Sequence, residues 1–588
     1  MARSGLRKED FTFILIAAIF CFLIFFLYKV QVSNGSYYKK IAESNYIRSL
    51  QKPTKRGIIY DANLQPLVEN IPSLSVYLDL RKMKDKEGVS EFLSNNLLLS
   101  KEKILKIIHK NRFIRFAPIP IAHNLDMETA IHLEENLETY PSLKVISESH
   151  RNYISQNHFV GYVGKISENE YEQLRGEGYG QMDFIGKVGL ESFYENELRG
   201  SKGYDLLQVD ASGTYLGLGK GNKFKAPQPG LDVVLSVDYA LQKKINTLLP
   251  SDSSCVAIVM NCKTGGIIAA VSHPSYDQNF FVSGMERDYW EDIIQNPHNP
   301  LLNKVCNATY PPGSVFKLVT AAFALENEIV KPDEVLVDCE GGMDFGGRFF
   351  GCWKKEGHGK MDLLGAIRES CDTYFYELAK KIKLDEFKNF IQKCGILDKS
   401  KIDQFNKRHS FFPNTKWYNK HYSKHGWSTG NLLNLVIGQG EVLFTPLAVA
   451  QFYAGLANNG KVVTPHFADY LFKDGKKYKK IEYPSYKLPI KKKNISFLLH
   501  SLDKVVNGKH GTGQIARING VKIGGKTGSA ENYKGDTHAW FVAVAPIDDP
   551  EIVVVVFVEN GGSGAGISAI LTAKILAEYF ETSTFYDL

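Results

Sequence analysis

Ser314 and Lys317 stand three residues apart in Tyr310-Pro-Pro-Gly-Ser-Val-Phe-Lys317. That spacing puts a hydroxyl and an amine on one face of a helix, the outline of an activated nucleophile. The same Ser-x-x-Lys spacing recurs at Ser36, Ser49, Ser100 and Ser501, so spacing alone selects nothing. Context selects. Pro-Pro-Gly ends an extended segment before Ser314, and Leu318, Val319, Ala321, Ala322, Phe323 and Leu325 give residues 314–326 the apolar face of a buried helix. Two further polar groups follow in chain order, Ser370-Cys371-Asp372 and Gly524-Gly525-Lys526-Thr527-Gly528-Ser529-Ala530. A second Lys-Thr-Gly, Lys263-Thr264-Gly265, precedes the nucleophile and reads as a tight turn between two strands.

Another cluster has the chemistry of a metal site. Cys339, Cys352 and Cys371 bracket His358 in the pattern Cys-x12-Cys-x5-His-x12-Cys. Three thiolates and an imidazole make a tetrahedral zinc set with no open catalytic position, so such a site is structural. A disulfide such as Cys339 to Cys352, or simply buried thiols, are the alternatives.

The elements that must position these residues belong to more than one domain, because 588 residues exceed a single core. Hydrophobic content of 44% and charged content of 23% are those of a globular protein, and a net charge of +7 over this length is too dilute to argue for nucleic acid. Phe11 to Tyr28 is an uncharged run, about 27 Å long as a helix and so close to the hydrocarbon thickness of a bilayer. Arg3, Arg7 and Lys8 precede it, which predicts a cytoplasmic N-terminus and the remainder outside. A cleaved signal peptide is the competing reading. The length of the run and the Lys29-Val-Gln-Val that follows favour an anchor.

Residues 31–225 are mixed in pattern, with short strands and charged helices such as 124–138, and read as an elongated spacer. Within it, Arg56-Gly57 with the Asp61-Ala-Asn63 turn, and the helix starting around Gly186-Lys-Val-Gly189-Leu-Glu191, read as structural. Lys220 to Gly230 is a Gly/Pro/Lys boundary, so the second domain is 226–588. Its strands are expected at 231–237, 255–260, 266–271, 540–545 and 551–558, with helices 314–326 and 568–581 packed on the sheet. Lysine-rich 473–480 and 491–493 flank an expected hairpin, and the segment Lys399 to Trp427 interleaves lysines with aromatics, either as a groove for glycan or peptide or as an exposed loop.

The ordered motifs resemble the signature of penicillin-binding proteins and serine β-lactamases. The chain as a whole resembles a class B penicillin-binding protein of the elongation type. The resemblance also covers His158-Phe-Val-Gly161, Pro229-Gly230-Leu-Asp232, Ser272-His-Pro274, Pro300-Leu-Leu-Asn303, Ile437-Gly438-Gln439-Gly440 with Thr445-Pro446-Leu447, and His538-Ala-Trp540-Phe541. It implies an α+β fold: a single transmembrane helix at 11–30 behind a cytoplasmic tail at 1–10, an extended non-catalytic pedestal, and a transpeptidase domain with helices around an antiparallel sheet. One position departs: Asp372 stands where the wider superfamily has Asn, an acceptor-only carboxylate in place of an amide. That variant occurs in the elongation group, and it leaves the role of Asp372 open.

The resemblance further implies the chemistry. Ser314 attacks the penultimate D-alanine carbonyl of a peptidoglycan stem peptide, and an amine from a neighbouring stem resolves the acyl-enzyme. Lys317 serves as base, its protonated form disfavoured by burial and by the like charge of Lys526. Ser370 relays protons, Lys526 and Thr527 hold the terminal carboxylate, Gly528 allows close approach, and the backbone N–H groups of Ser314 and Ser529 form the oxyanion hole. No cofactor is needed for this chemistry. Some members of the elongation group carry zinc on a mixed Asp, His and Cys set, which makes Asp338 an alternative first ligand. Implied partners are a RodA-type glycosyltransferase, an MreC-type scaffold on the pedestal, and β-lactams as inhibitors, with the catalytic domain periplasmic. A β-lactamase or carboxypeptidase needs no pedestal, and a scaffold or β-lactam sensor need not keep Ser314, Lys317, Ser370 and Lys526 together.

Overall fold

The computed structural model describes residues 8–588 except 40–46, 98, 113–117, 182, 211–214, 219–223, 284–286, 398–401, 404–407, 423–425, 533–534 and 587–588. Arg3 and Arg7, the residues 220–223 of the expected boundary, and Lys399, Lys401 and Lys407 therefore lie outside the described residues. Helix α1, Lys8–Tyr28, continues as a wider turn over Lys29–Ser33. The stretch Phe11–Ser33 is long and apolar enough to cross a membrane.

The chain divides into two compact units, one of residues 1–55, 71–150 and 200–230, the other of 56–70, 151–199 and 231–588. The first has its own small core, in which Val76, Leu78, Ile119 and Ile121 pack with Val89, Leu93, Ile104 and Ile108 from the helices Lys86–Asn96 and Lys101–Lys110. Ser100, one of the Ser-x-x-Lys copies, is the N-cap of the second of these helices and accepts from the Lys103 N–H. The expected helix at 124–138 forms over Met127–Glu135, capped by Asp126.

The second unit is built on a five-stranded antiparallel sheet. Its strands are β1 (Cys255–Asn261), β2 (Ile267–His273), β3 (Gly524–Ala530), β4 (His538–Ala545) and β5 (Ile552–Val558), in the order β2-β1-β5-β4-β3. Alternation divides β1, β2, β4 and β5 between two cores. Val256, Ile258, Val553, Val555, Trp540 and Val542 face one of them, and Ala257, Val259, Val554, Val556, Phe541 and Ala543 the other. Helices cover both faces: α2 (Lys317–Glu326), α3 (Pro446–Ala457) and α4 (Lys492–Asn507) contribute to the first core, α5 (Ala569–Tyr579) to the second. Burial on both faces is why β1, β2, β4 and β5 read as largely apolar runs, with β5 the sequence Ile-Val-Val-Val-Val-Phe-Val.

Lys263-Thr264-Gly265 is the turn between β1 and β2: the Asn261 side chain accepts from the N–H groups of Lys263 and Thr264, both at 2.9 Å. Ser501 lies inside α4 with its hydroxyl on the Phe497 carbonyl. The strand expected at 231–237 forms over Asp232–Leu235 but joins another sheet, antiparallel to Ala468–Lys473 and parallel to Ile59–Tyr60. An apolar run specifies a strand and not its neighbour. A hairpin forms from Ala468–Lys473 and Lys476–Lys480, so the lysines of 473–480 build it rather than flank it, its second strand is exposed along its whole length, and 491–493 instead begin α4.

Arg56 and the Gly186–Glu191 motif meet in one buried network. Glu191, with no exposed surface, receives Arg151 Nε on Oε1 at 2.7 Å and Arg56 Nε on Oε2 at 2.6 Å, while Arg56 also reaches Glu195 at 2.7 Å. Burial pushes the Glu191 carboxyl upward, but the two guanidiniums outweigh it and hold it below its ordinary value. The motif is therefore a structural tie. Replacing Glu191→Gln leaves buried guanidiniums without their shared anion and is expected to remove about 3 to 5 kcal/mol of stability, read as a lower midpoint of thermal unfolding than wild type.

Candidate active site

Ser314 sits in a tight 3₁₀ turn, Gly313–Phe316, that runs directly into α2, whose first residue is Lys317. The sequence pointed to a helix start; the tighter turn does the same work more strictly, because side chains three residues apart eclipse in 3₁₀ geometry. The turn is braced from several sides. The Phe316 ring lies 5.3 to 5.9 Å from those of Phe387, Phe412 and Phe444. Tyr453 Oη donates to the Val315 carbonyl at 2.8 Å, and Trp540 Nε1 to the Pro311 carbonyl at 3.0 Å. Gly313 has φ +55°, and a Cβ there would lie 2.7 Å from the Ser529 carbonyl oxygen, so glycine is required where the turn meets β3.

The structure brings Lys317, Ser370, Asp372 and Lys526 together. Lys317 and Lys526 have no exposed surface. Lys317 Nζ donates to Asp372 Oδ1 and to the Ser370 carbonyl, each at 2.7 Å, and lies 3.3 Å from Ser370 Oγ. Lys526 Nζ donates to the same Ser370 Oγ at 2.9 Å and to the Thr527 carbonyl at 3.0 Å. Ser370 offers its hydroxyl and carbonyl to this cavity from a left-handed backbone, φ +56°.

The charge logic falls differently on the two lysines than the sequence implied. Burial first, and the like charge of Lys317 second, drive the Lys526 ammonium well below the usual lysine value. Lys317 instead carries the ion pair to Asp372. Asp372 is also tied on its other side: the Trp353 N–H donates to Oδ2 at 3.1 Å, and its own N–H points at Cys352 Sγ at 3.3 Å. Thr527 Oγ1 lies 2.9 Å from Thr512 Oγ1. Ser529, on the outer strand β3, is exposed, and its hydroxyl accepts from the Gly564 N–H at 3.1 Å. A Cβ on Gly528 would lie 3.0 Å from Val315 and 3.1 Å from Trp540, the close approach expected of this position.

The four cysteine and histidine candidates also converge. The ligand atoms of Cys339, Cys352, His358 and Cys371 lie within 4.8 Å of one another, and His358 Nδ1 is 3.6 Å from both Cys339 Sγ and Cys352 Sγ. A tetrahedral zinc with its usual bond lengths needs an S···N edge of about 3.6 Å. All eight cysteines are free thiols, and Asp338 is exposed outside the cluster. The hydrogen bond with Cys371, then that with His358, brings Cys352 down to about 2 against burial, while the same hydrogen bond and then burial raise the Cys371 thiol. Burial would lower His358, but its contacts with Cys352 and Cys339 raise it.

Sequence reading missed Trp353 and Thr512, which touch Asp372 and Thr527 from 19 and 15 residues away in the chain. It noted Gln439 only as part of a motif; its carboxamide contacts Ser529 and Glu531.

Residues 255–577 match the family described as penicillin binding protein transpeptidase domain, and residues 51–235 the penicillin-binding protein dimerisation domain. A serine, two lysines and a bridging serine on such a domain make this a serine-type transpeptidase, and the chain belongs to the class B penicillin-binding proteins. Within that class it is of the penicillin-binding protein 2 type. It is 31% identical to the peptidoglycan D,D-transpeptidase MrdA of Haemophilus influenzae over 94% of this chain and 88% of the relative. Identity to MrdA of Escherichia coli is 29% over 93% and 90%. Among solved structures it is similar to penicillin-binding protein 2 of Helicobacter pylori in a complex with MreC, with TM-score 0.79 and 28% identity over 91% of this chain and all of that one. Pseudomonas aeruginosa penicillin-binding protein 2 in complex with WCK 5153 gives TM-score 0.69 and 28% identity over 90% and 96%. The α+β fold expected from the sequence stands.

The Asp372 carboxylate is the counter-charge of a buried lysine. Asp372→Ala is expected to slow acylation by a fluorescent penicillin about a hundredfold or more, since breaking a buried pair costs several kcal/mol. The same loss lowers the melting midpoint of the variant, so the two rates are compared at a temperature at which both proteins remain folded.

Proposed function

We propose that this D,D-transpeptidase cross-links peptidoglycan stem peptides during lateral wall growth and so maintains rod shape, with Ser314 as nucleophile and Lys317 as its base. The observation that carries the reading is the single hydroxyl of Ser370 between two buried lysines, at the foot of the Ser314 turn. Lys317 passes a proton through Ser370 to Lys526 when the donor's terminal carboxylate arrives beside Lys526 and offsets the burial that otherwise keeps that amine neutral. Lys317 is then free to take the Ser314 proton, and Lys526 is charged to hold, with Thr527, the terminal carboxylate of the donor peptide. The Ser314 oxygen bonds to the penultimate D-alanine carbonyl carbon, and the terminal D-alanine leaves with a proton returned by the relay. An amine from a second stem then attacks the ester, Ser314 regains its proton, and the amide is restored without external energy. Backbone N–H groups of Ser314 and Ser529 stabilise the oxyanion, each worth about 3 to 4 kcal/mol by the usual cost of losing one donor.

The remaining assignments complete the reading. Residues 31–225 act as the pedestal and 226–588 as the transpeptidase domain. The chain is anchored in the inner membrane by the span at 11–30, with residues 1–10 cytoplasmic and the catalytic domain periplasmic. An MreC-type scaffold binds the pedestal, a RodA-type glycosyltransferase supplies glycan strands, and β-lactams acylate Ser314. The Helicobacter pylori relative is described in complex with MreC, which supports the first of these.

Cys339, Cys352, His358 and Cys371 would hold a zinc ion, which when bound supplies a closed structural tie and no reactive position. Zinc content measured on the purified protein is expected near one per chain, and removing it with a strong chelator is expected to lower both melting midpoint and penicillin acylation. Metal-free protein with unchanged melting would remove zinc from the account.

Intact-protein mass spectrometry tests the central claim. Wild type is expected to gain the mass of one penicillin and Ser314→Ala none. Rapid release of hydrolysed penicillin would instead make the protein a hydrolase.

A further inference from the structure

β3 ends the sheet, and β4 is its neighbour on one side only. Along an antiparallel edge strand, alternate residues turn both N–H and C=O outward, where another extended chain can pair with them. Two such outward groups on β3 and its continuation are occupied by one side chain. Gln439 Nε2 donates to the Ser529 carbonyl at 3.3 Å, and the Glu531 N–H donates to Gln439 Oε1 at 3.2 Å. A carboxamide offers one N–H and one C=O much as a peptide unit does, so Gln439 pairs with the edge as a single residue of a neighbouring strand would.

The placement of this side chain is fixed by backbone. The Gly313 N–H donates to the Gly438 carbonyl at 3.0 Å, and a Cβ on Gly438 would lie 2.3 Å from the Gly313 carbonyl oxygen. The Gln439 N–H is held on the Asn434 carbonyl at 3.0 Å. The turn that braces the residue before the nucleophile thus also carries Gln439 to the edge of β3. Its own two contacts are long and solvent-exposed, the kind exchanged at small cost.

We propose that Gln439 is a specificity-determining latch: its carboxamide takes the Ser529 carbonyl and Glu531 N–H that a substrate backbone needs, and an acyl donor bearing a backbone-like amide N–H must displace it before Ser314 is acylated. The inference rests on Ser314 being the nucleophile and β3 the substrate strand. It separates two chemical classes. Peptides and penicillins with an acylamido side chain compete with Gln439 for the Ser529 carbonyl, whereas carbapenems, which lack that amide, do not.

The test compares second-order acylation rate constants of the full-length protein in detergent, for an acylamido penicillin and a carbapenem, in wild type, Gln439→Ala and Gln439→Glu. With the latch removed, Gln439→Ala is expected to react roughly threefold to tenfold faster with the penicillin, about one hydrogen bond's worth, and to change by less than about twofold with the carbapenem. Gln439→Glu is expected to match Gln439→Ala, since a carboxylate still accepts from Glu531 but cannot donate to Ser529. Equal slowing of both inhibitors would make Gln439 a brace for the Ser529 amide and overturn the latch. Slowing of the penicillin alone would make it a substrate contact, and unchanged rates would leave it no part, each overturning the proposal. Absence of any adduct on wild type would overturn the nucleophile assignment itself, a result distinct from all of these.

Discussion

Two lysine side chains with no exposed surface share one serine hydroxyl, and the rest of the catalytic unit is arranged around making that tolerable. An ammonium removed from water costs several kcal/mol unless it is paired or gives up its proton. The chain uses both remedies, one on each lysine. Lys317 is paired with Asp372, and Lys526 is pushed towards its neutral form by burial and by Lys317 itself. A pair with one removable proton and a hydroxyl between them is built to move that proton in a way that two solvated lysines are not. Ser370 has to present hydroxyl and carbonyl to the same cavity, and it does so from a left-handed backbone that costs on the order of 1 to 3 kcal/mol.

The same constraint accounts for aspartate at position 372. Its two oxygens face two donors, the Lys317 ammonium and the Trp353 N–H. A carboxylate satisfies both as an acceptor, whereas an amide would turn its own N–H group towards one of them and bring no countercharge. Asp372 is thus a fit to this particular pair of neighbours, and its departure from the wider signature is no sign of a dead enzyme.

How much of this the sequence disclosed depends on the range of the interaction. Ser314 and Lys317 are local, and so is the choice between Lys526-Thr527-Gly528 and its copy at Lys263, because the copy precedes the nucleophile and its flanks read as a tight turn. The strands β1, β2, β4 and β5 were legible from apolar runs, yet the run at 231–237 entered another sheet, since pairing depends on what lies alongside. The lysine charges were half legible. Two lysines in one site could be inferred from the motifs, but which of them meets Asp372 depends on side-chain geometry. Trp353 and Thr512 left no signal at all, because a backbone N–H or a lone threonine acquires its role only through a fold that brings it there.

The second motif and the cysteine cluster share one residue. Cys371 lies between Ser370 and Asp372, and Cys352, beside it in the cluster, receives the Asp372 N–H while its neighbour Trp353 holds the Asp372 carboxylate. Whatever fixes the Cys352–His358 loop therefore fixes Asp372 at both its backbone and its side chain, and through Asp372 the position of Lys317. The thiol and imidazole groups never need to touch substrate to matter for acylation. They set the rigidity of the carboxylate that keeps a buried lysine in place, and a chain of hydrogen bonds spanning 2.7 to 3.3 Å breaks when one member moves by about an ångström.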